Sequence, residues 1–106
     1  MLREITLKDM RPGELYAYTF PTGKGVRLCV GQLEKIEHNK RIYWTKAQVV
    51  GPPGRHKWEH YRSGQGCVSG YNPAEGWRLY EYDRDLVWAY YCALTMLDEC
   101  DNEQFA

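Results

Sequence analysis

His56 and His60 stand four residues apart and Cys67 follows seven residues later. On a helix that spacing puts both imidazoles on one face, and a thiolate then completes part of a zinc site. The segment HKWEH is not HExxH, however: Glu59 stands at the wrong offset to act as the base between two metal ligands. Gly and Pro on its N-terminal side also argue against a helix, and a closed structural zinc normally takes four ligands. Paired with His60, Cys67 has a second chemistry, that of a thiol on a glycine-rich loop activated by a neighbouring base. No third residue is identified to orient the base. Gly64, Gly66 and Gly70 miss the GxGxxG spacing and no GK[ST] follows, so a phosphate loop is not expected. Since no set of residues fills nucleophile, base and oxyanion roles together, the chain is read as non-enzymatic, with no cofactor and no metal assigned. A Cys-dependent or metal-dependent enzyme stays as the second alternative.

The aromatic inventory is the stronger clue: nine Tyr, four Trp and two Phe, many of them close to cations. Phe20, Tyr43, Trp44, Trp58 and Tyr61 are expected to converge on one edge of the domain. Electron-rich ring faces attract cations, and flat rings stack on prolines, bases or arginine. The competing reading is that these rings fill a core poor in Ile, Phe and Met. Arg55, His56, Lys57, Trp58, His60, Tyr61 and Arg62 form a second group, in which cations interleave with rings as phosphate and base recognition requires. The same stretch also reads as a rim for an acidic protein or as an ordinary solvated face. The candidate binding residues are therefore Phe20, Tyr43, Trp44, Arg55, Lys57, Trp58, Tyr61 and Arg62.

These side chains need a scaffold, and residues 12–54 supply one: PGELYAYTF, PTGKG, VRLCVGQLEKI, EHNK, RIYWTKAQVV and GPPG alternate strand and turn. β-Branched and aromatic residues suit a pleated, half-buried surface, whereas Gly, Pro and Asn supply the angles of tight reversals. Tyr16, Tyr18 and Phe20 fall on one face of the first strand and Leu15, Ala17 and Thr19 on the other, so both faces are expected to be covered. Gly31 interrupts the second strand, as a bulge or bend would. Asn39 suits the left-handed position of the next reversal. Residues 54–62 read as a fourth short strand or a loop, 63–70 as a mobile glycine-rich loop, and WRLYEY over 77–82 as an alternating strand.

Length allows one domain and one core across 1–106. Hydrophobic residues at 43% and charged residues at 26% place the chain among ordinary globular domains, away from disorder. Cys29, Cys67, Cys92 and Cys100 form no CxxC pair and no dense framework, so free thiols in a reducing, cytoplasmic setting are expected. The charged N-terminus lacks the apolar run and cleavage site of a secretory signal. Formal charge is zero but uneven, +6 over residues 1–80 and −6 over 81–106, a polarity that bears on partners and self-association.

LVWAYYCALTML, residues 86–97, is the longest apolar run and falls far short of the ~20 residues that span a bilayer, so no membrane association is expected. Asp83 or Asp85 is placed to cap a helix over 85–97, with Leu86, Tyr90, Ala93, Leu94 and Leu97 at helical spacing. The alternative makes 86–91 the last strand of an all-β domain. Either way the segment is apolar on nearly every side, so it packs on the domain or forms a homodimer seam. Residues 98–106 read as a solvated acidic tail.

Pro12-Gly13-Glu14-Leu15-Tyr16-Ala17, then Val30-Gly31-Gln32-Leu33-Glu34-Lys35-Ile36, then Ile42-Tyr43-Trp44 resemble the strands of SH3-like barrels of the Tudor type over residues 12–50. The resemblance implies a mainly β fold, a small antiparallel barrel of about five strands, here followed by a C-terminal helix. It also implies binding rather than catalysis: Tudor-type domains hold methylated Lys or Arg in an aromatic cage, and others of this shape take proline-rich peptides or nucleic acid. The expectation is thus a module that recognises a protein or peptide through an aromatic-rich surface, as an adaptor or inhibitor. Nucleic-acid binding through residues 54–62 is the first alternative.

Overall fold

The computed structural model describes residues 1–38, 41–51, 58–62, 67–68 and 71–103, with side chains described for 1–38, 41–51, 58–62 and 71–95. Asn39, the GPPG turn beyond Gly51, and Arg55, His56 and Lys57 lie outside these residues, as does most of the 63–70 segment. Strands β1 (Glu4–Ile5), β2 (Leu15–Thr22), β3 (Gly25–Ile36), β4 (Ile42–Val49), β5 (Glu59–His60), β6 (Cys67–Val68) and β7 (Arg78–Glu81) precede helix α1 (Arg84–Glu103). All pair antiparallel in one sheet of order β1-β7-β2-β3-β4-β5, with β6 also on β4. The fold is mainly β with a C-terminal helix, as expected, and the all-β alternative falls because 86–91 is helical. Among the described residues there are seven strands rather than the expected five or so, because β1, β5 and β6 are two-residue pairings, too short for a periodic signal.

β2 and β3 form the spine, paired from Leu15↔Gln32 to Thr22↔Gly25 around a tight Gly23-Lys24 turn. Pro21 is tolerated because β7 pairs β2 only over Tyr16–Thr19, so no neighbour on that side needs its missing N–H. Register shifts lie between Gln32 and Leu33 and between Leu33 and Lys35, and such irregularities bend and twist a sheet. The expected kink at Gly31 therefore sits just beyond it. Gly31 has its own reason: a Cβ there would lie 2.5 Å from Cε3 of Trp44, whose ring rests on the bare backbone.

Both faces of the sheet are buried. Ile5, Tyr16, Tyr18, Cys29, Leu33, Ile42, Trp44 and Leu79 form a cluster on one face. Ala17, Leu28 and Val30 turn to the other face, where Leu2 and Val87 join them beneath α1. Alternation along β2 produces this division, since successive side chains point to opposite sides. Ala17 is fully buried between Val30 and Tyr80, where its short side chain lets the helix approach. Asp83 starts α1: its Oδ1 accepts from the backbone N–H groups of Asp85 and Leu86, each at 3.0 Å. The helix then runs through Glu103, so the expected tail is helical for six residues past Leu97. No helix is long and apolar enough to cross a membrane among the described residues.

Candidate binding surface

Tyr18 and Phe20 share a face of β2 because they are two residues apart, and the register of β7 brings Trp77 opposite Phe20, one step beyond the Thr19↔Arg78 pair. From β4, Trp44 reaches over Gly31 to the same face. The result is a column of four stacked rings. Trp44 and Tyr18 lie 4.8 Å apart at 13°, and Phe20 and Trp77 lie 4.7 Å apart at 20°. Tyr18 joins the two pairs, 6.2 Å from Phe20 and 6.5 Å from Trp77. These are the centroid separations at which offset stacking is favourable. The column starts in the core at Trp44, which is 2% exposed, and ends half-buried at Phe20 and Trp77.

A 3-10 turn over Pro73–Glu75 frames that outer end. Asn72 caps it by accepting from the Ala74 N–H at 3.0 Å, and Gly76 leaves it at φ 97°, where a Cβ would lie 3.3 Å from Pro21. Arg78 braces the turn by donating to the carbonyls of Pro73 and Trp77, at 2.9 and 2.8 Å, with Glu4 3.6 Å from its Nε. Thus the rings, the hairpin tip and the turn form one rim. The sequence reading missed Trp77 as a site residue. Its signal was there in the alternation of WRLYEY, but the β2–β7 pairing that carries it to Phe20 joins residues nearly sixty positions apart.

The expected convergence of Phe20, Tyr43, Trp44, Trp58 and Tyr61 on one edge is corrected. Trp44 is a core ring and Tyr43 is 7% exposed, because β4 is an interior strand flanked by β3, β5 and β6. Phe20 packs against the cluster of Trp44, whereas Trp58 packs against the cluster beneath α1, so the two lie on opposite sides of the sheet. Tyr61 and Arg62 are exposed beside β5, with the Tyr61 hydroxyl donating to Glu59 at 3.0 Å. Arg55 and Lys57 lie outside the described residues.

Two rings already carry cations of the chain itself. The Lys46 ammonium stands 4.6 Å over Trp58 and that of Lys35 4.8 Å over Tyr43. An incoming methylated lysine would have to displace them, so neither ring is an open cage wall. Across β4, Lys46 also faces His60 in register.

Two further places bear on chemistry. Cys29 is buried against Tyr18, and burial pushes its thiol up to about 11 despite the Tyr18 hydrogen bond and the Arg27 charge, which act the other way. Burial likewise raises the Tyr18 hydroxyl. Both stay neutral, the opposite of an activated thiolate. A groove of about 480 Å³ is lined by Arg3, Asp9, Glu14, Tyr16, Glu81 and Tyr82 among others. Its carboxylates are engaged within the chain. Glu81 pairs with Arg3 at 2.7 Å, Glu14 accepts from the Tyr16 hydroxyl at 3.0 Å, and Asp9 accepts from the Thr6 N–H at 3.0 Å, which holds its carboxyl below the ordinary range. Among the described residues, no three His, Cys, Asp or Glu side chains gather as metal ligands. No family model, curated protein or solved structure matches the chain.

Proposed function

We propose that this chain is a non-enzymatic binding module for a protein or peptide, docked at the outer end of the aromatic column, on Phe20 and Trp77. The observation that carries this reading is the column itself. Its inner rings are locked by Gly31 and the core, so the outer pair is held rigid while only half covered. Rigid aromatic side chains lose little entropy on binding and anchor interfaces for that reason. Pro21 and the Pro73–Glu75 turn widen the apolar rim, and Arg27, paired with Phe20 across the hairpin, adds an exposed cation. An extended segment carrying proline or aromatic residues and an acidic flank fits that chemistry. An adaptor or inhibitor role is what the resemblance of residues 12–50 to SH3-like barrels implies. Free Cys29 and Cys92 thiols suit a reducing, cytoplasmic setting.

Capture of a partner from native extract, with and without nuclease, tests the reading. A protein retained after nuclease, and lost with Phe20→Ala and Trp77→Ala at unchanged circular dichroism, is the expected outcome. Retention by both variants removes the site. Loss of the captured material on nuclease treatment, with a steep fall in oligonucleotide affinity as salt rises, would assign the chain to nucleic acid instead.

A further inference from the structure

The guanidinium of Arg78 completes a strand edge that β1 leaves unfinished. Successive residues of a strand send their backbone groups to opposite neighbours, and the Glu81 N–H bonds the Arg3 carbonyl at 2.9 Å, so Glu81, Leu79 and Trp77 address the β1 side. β1 ends too soon to meet Trp77. It pairs only Glu4↔Tyr80 and Ile5↔Leu79, and at Thr6 the backbone N–H turns to Asp9 Oδ2 at 3.0 Å, which opens the 3-10 turn Leu7–Asp9. The Trp77 carbonyl is thus left at an edge with no strand beside it, an acceptor that needs another donor. Arg78 supplies that donor. Its Nη1 donates to the Trp77 carbonyl at 2.8 Å and to the Pro73 carbonyl at 2.9 Å, and its Nε lies 3.6 Å from Glu4 of β1. One planar fork therefore ties together the turn at the rim, the residue that carries the outer indole, and the edge strand.

We infer that, on the docking reading proposed for Phe20 and Trp77, Arg78 is the positioning residue of that surface. It fixes the backbone at Trp77 and so holds the indole against Phe20 before a partner arrives. Trp77 and Leu79 pack with the column's cluster, and Arg78, between them in sequence, points to the other face of β7. The two guanidiniums at the rim then have separate tasks. Arg27 is exposed and stands opposite Phe20 in register, on the column's own face, where it meets the partner. Arg78 holds the surface from behind. Lysine is no substitute there, because an ammonium lacks the fork that serves two carbonyls and a carboxylate at once. Preorganisation of this kind raises affinity by lowering the ordering cost of binding.

Two-dimensional NMR of the free full chain reads the positioning without a partner. The Trp77 indole is assigned by its absence in Trp77→Phe, and in the parent it shows a nuclear Overhauser contact to the Phe20 ring, whose centroid lies 4.7 Å away. Arg78→Lys is expected to lose that contact with the far-ultraviolet circular dichroism and urea midpoint retained. It should also bind the protein captured from native extract roughly tenfold more weakly, the worth of one charge-assisted hydrogen bond. The salt dependence of that binding stays as in the parent, whereas Arg27→Gln flattens it and keeps the ring contact. An Arg78→Lys protein that keeps either the contact or the affinity overturns the inference. So does one that loses the salt dependence, which would make Arg78 a direct reader of the partner. Arg78→Gln is the second variant, and unfolding of both assigns Arg78 to the fold and overturns the inference. Retention of the partner by Trp77→Ala fells the docking reading and this inference with it, an outcome told apart by the Trp77 variant alone.

Discussion

Gly31 and Trp44 depend on each other across thirteen positions of sequence. A methyl group on residue 31 has to displace either the indole or the β3 backbone, since 2.5 Å is far inside van der Waals contact. Gly31→Ala is expected to destabilise the fold by ~1–3 kcal/mol, the usual cost of overpacking, measured as a shift in the urea midpoint at constant slope. The sequence marked Gly31 as the break in the strand, but the irregularity falls between Gln32 and Lys35, and the reason for the glycine itself was hidden because nothing local marks which distant ring lies above it. Trp44 was misplaced at the surface for a related reason: a tryptophan on a strand reads the same whether both neighbouring strands exist or not. Cys29 makes a pH statement. Its thiol ionises at about 11 in the fold against an ordinary value near 9.0, so above pH 9 the unfolded chain releases a proton that the folded chain keeps. Stability from this group is complete below pH 9 and is lost as pH rises toward 11, by ~2–3 kcal/mol in all. Chemical denaturation at pH 8 and pH 11 should show a smaller drop in Cys29→Ala than in the parent. Tyr18 and Tyr61 are raised in part by Cys29 itself, so the substitution also relaxes them and adds to the difference, whereas the other raised tyrosines contribute to both proteins and cancel.

Among the elements, the long strands and the start of the helix were legible because each has a local cause. β2 and β4 alternate, and Asp83 precedes an apolar run at helical spacing. The two-residue strands were hidden, since their pairing is dictated by partners elsewhere in the sheet. The end of α1 was hidden too. Asp98–Glu103 reads as a solvated tail by composition, and its acids oppose the helix dipole, yet the backbone continues the helix begun by the twelve apolar residues before it. Asp83 does at this N-terminus what a cap does generally, and Asp85 lies inside the first turn. Asp83→Ala is expected to cost ~1 kcal/mol and Asp85→Ala less, read from thermal melts of the two variants side by side. A larger loss at Asp85 would place the cap two residues wrong.

Over the whole molecule, two apolar layers share one sheet: the aromatic column runs through one, and α1 covers the other. Ring types were legible in the sequence, but their grouping was not, because it is set by register between strands distant in the chain. Trp44→Ala should cost ~3–5 kcal/mol as a core deletion, whereas Trp77→Ala, half-buried at the rim, should cost less and act mainly on partner capture. Equal losses of stability would mean that Trp77 is as structural as Trp44. The column has an optical consequence. Indole and phenol transitions held 4.8–6.5 Å apart at 13–16° are excitonically coupled, so the near-ultraviolet circular dichroism belongs to the stack rather than to single rings. A ligand that merely touches Trp77 perturbs the spectrum of Trp44 in the core, which gives the protein an intrinsic, label-free signal of occupancy at its surface.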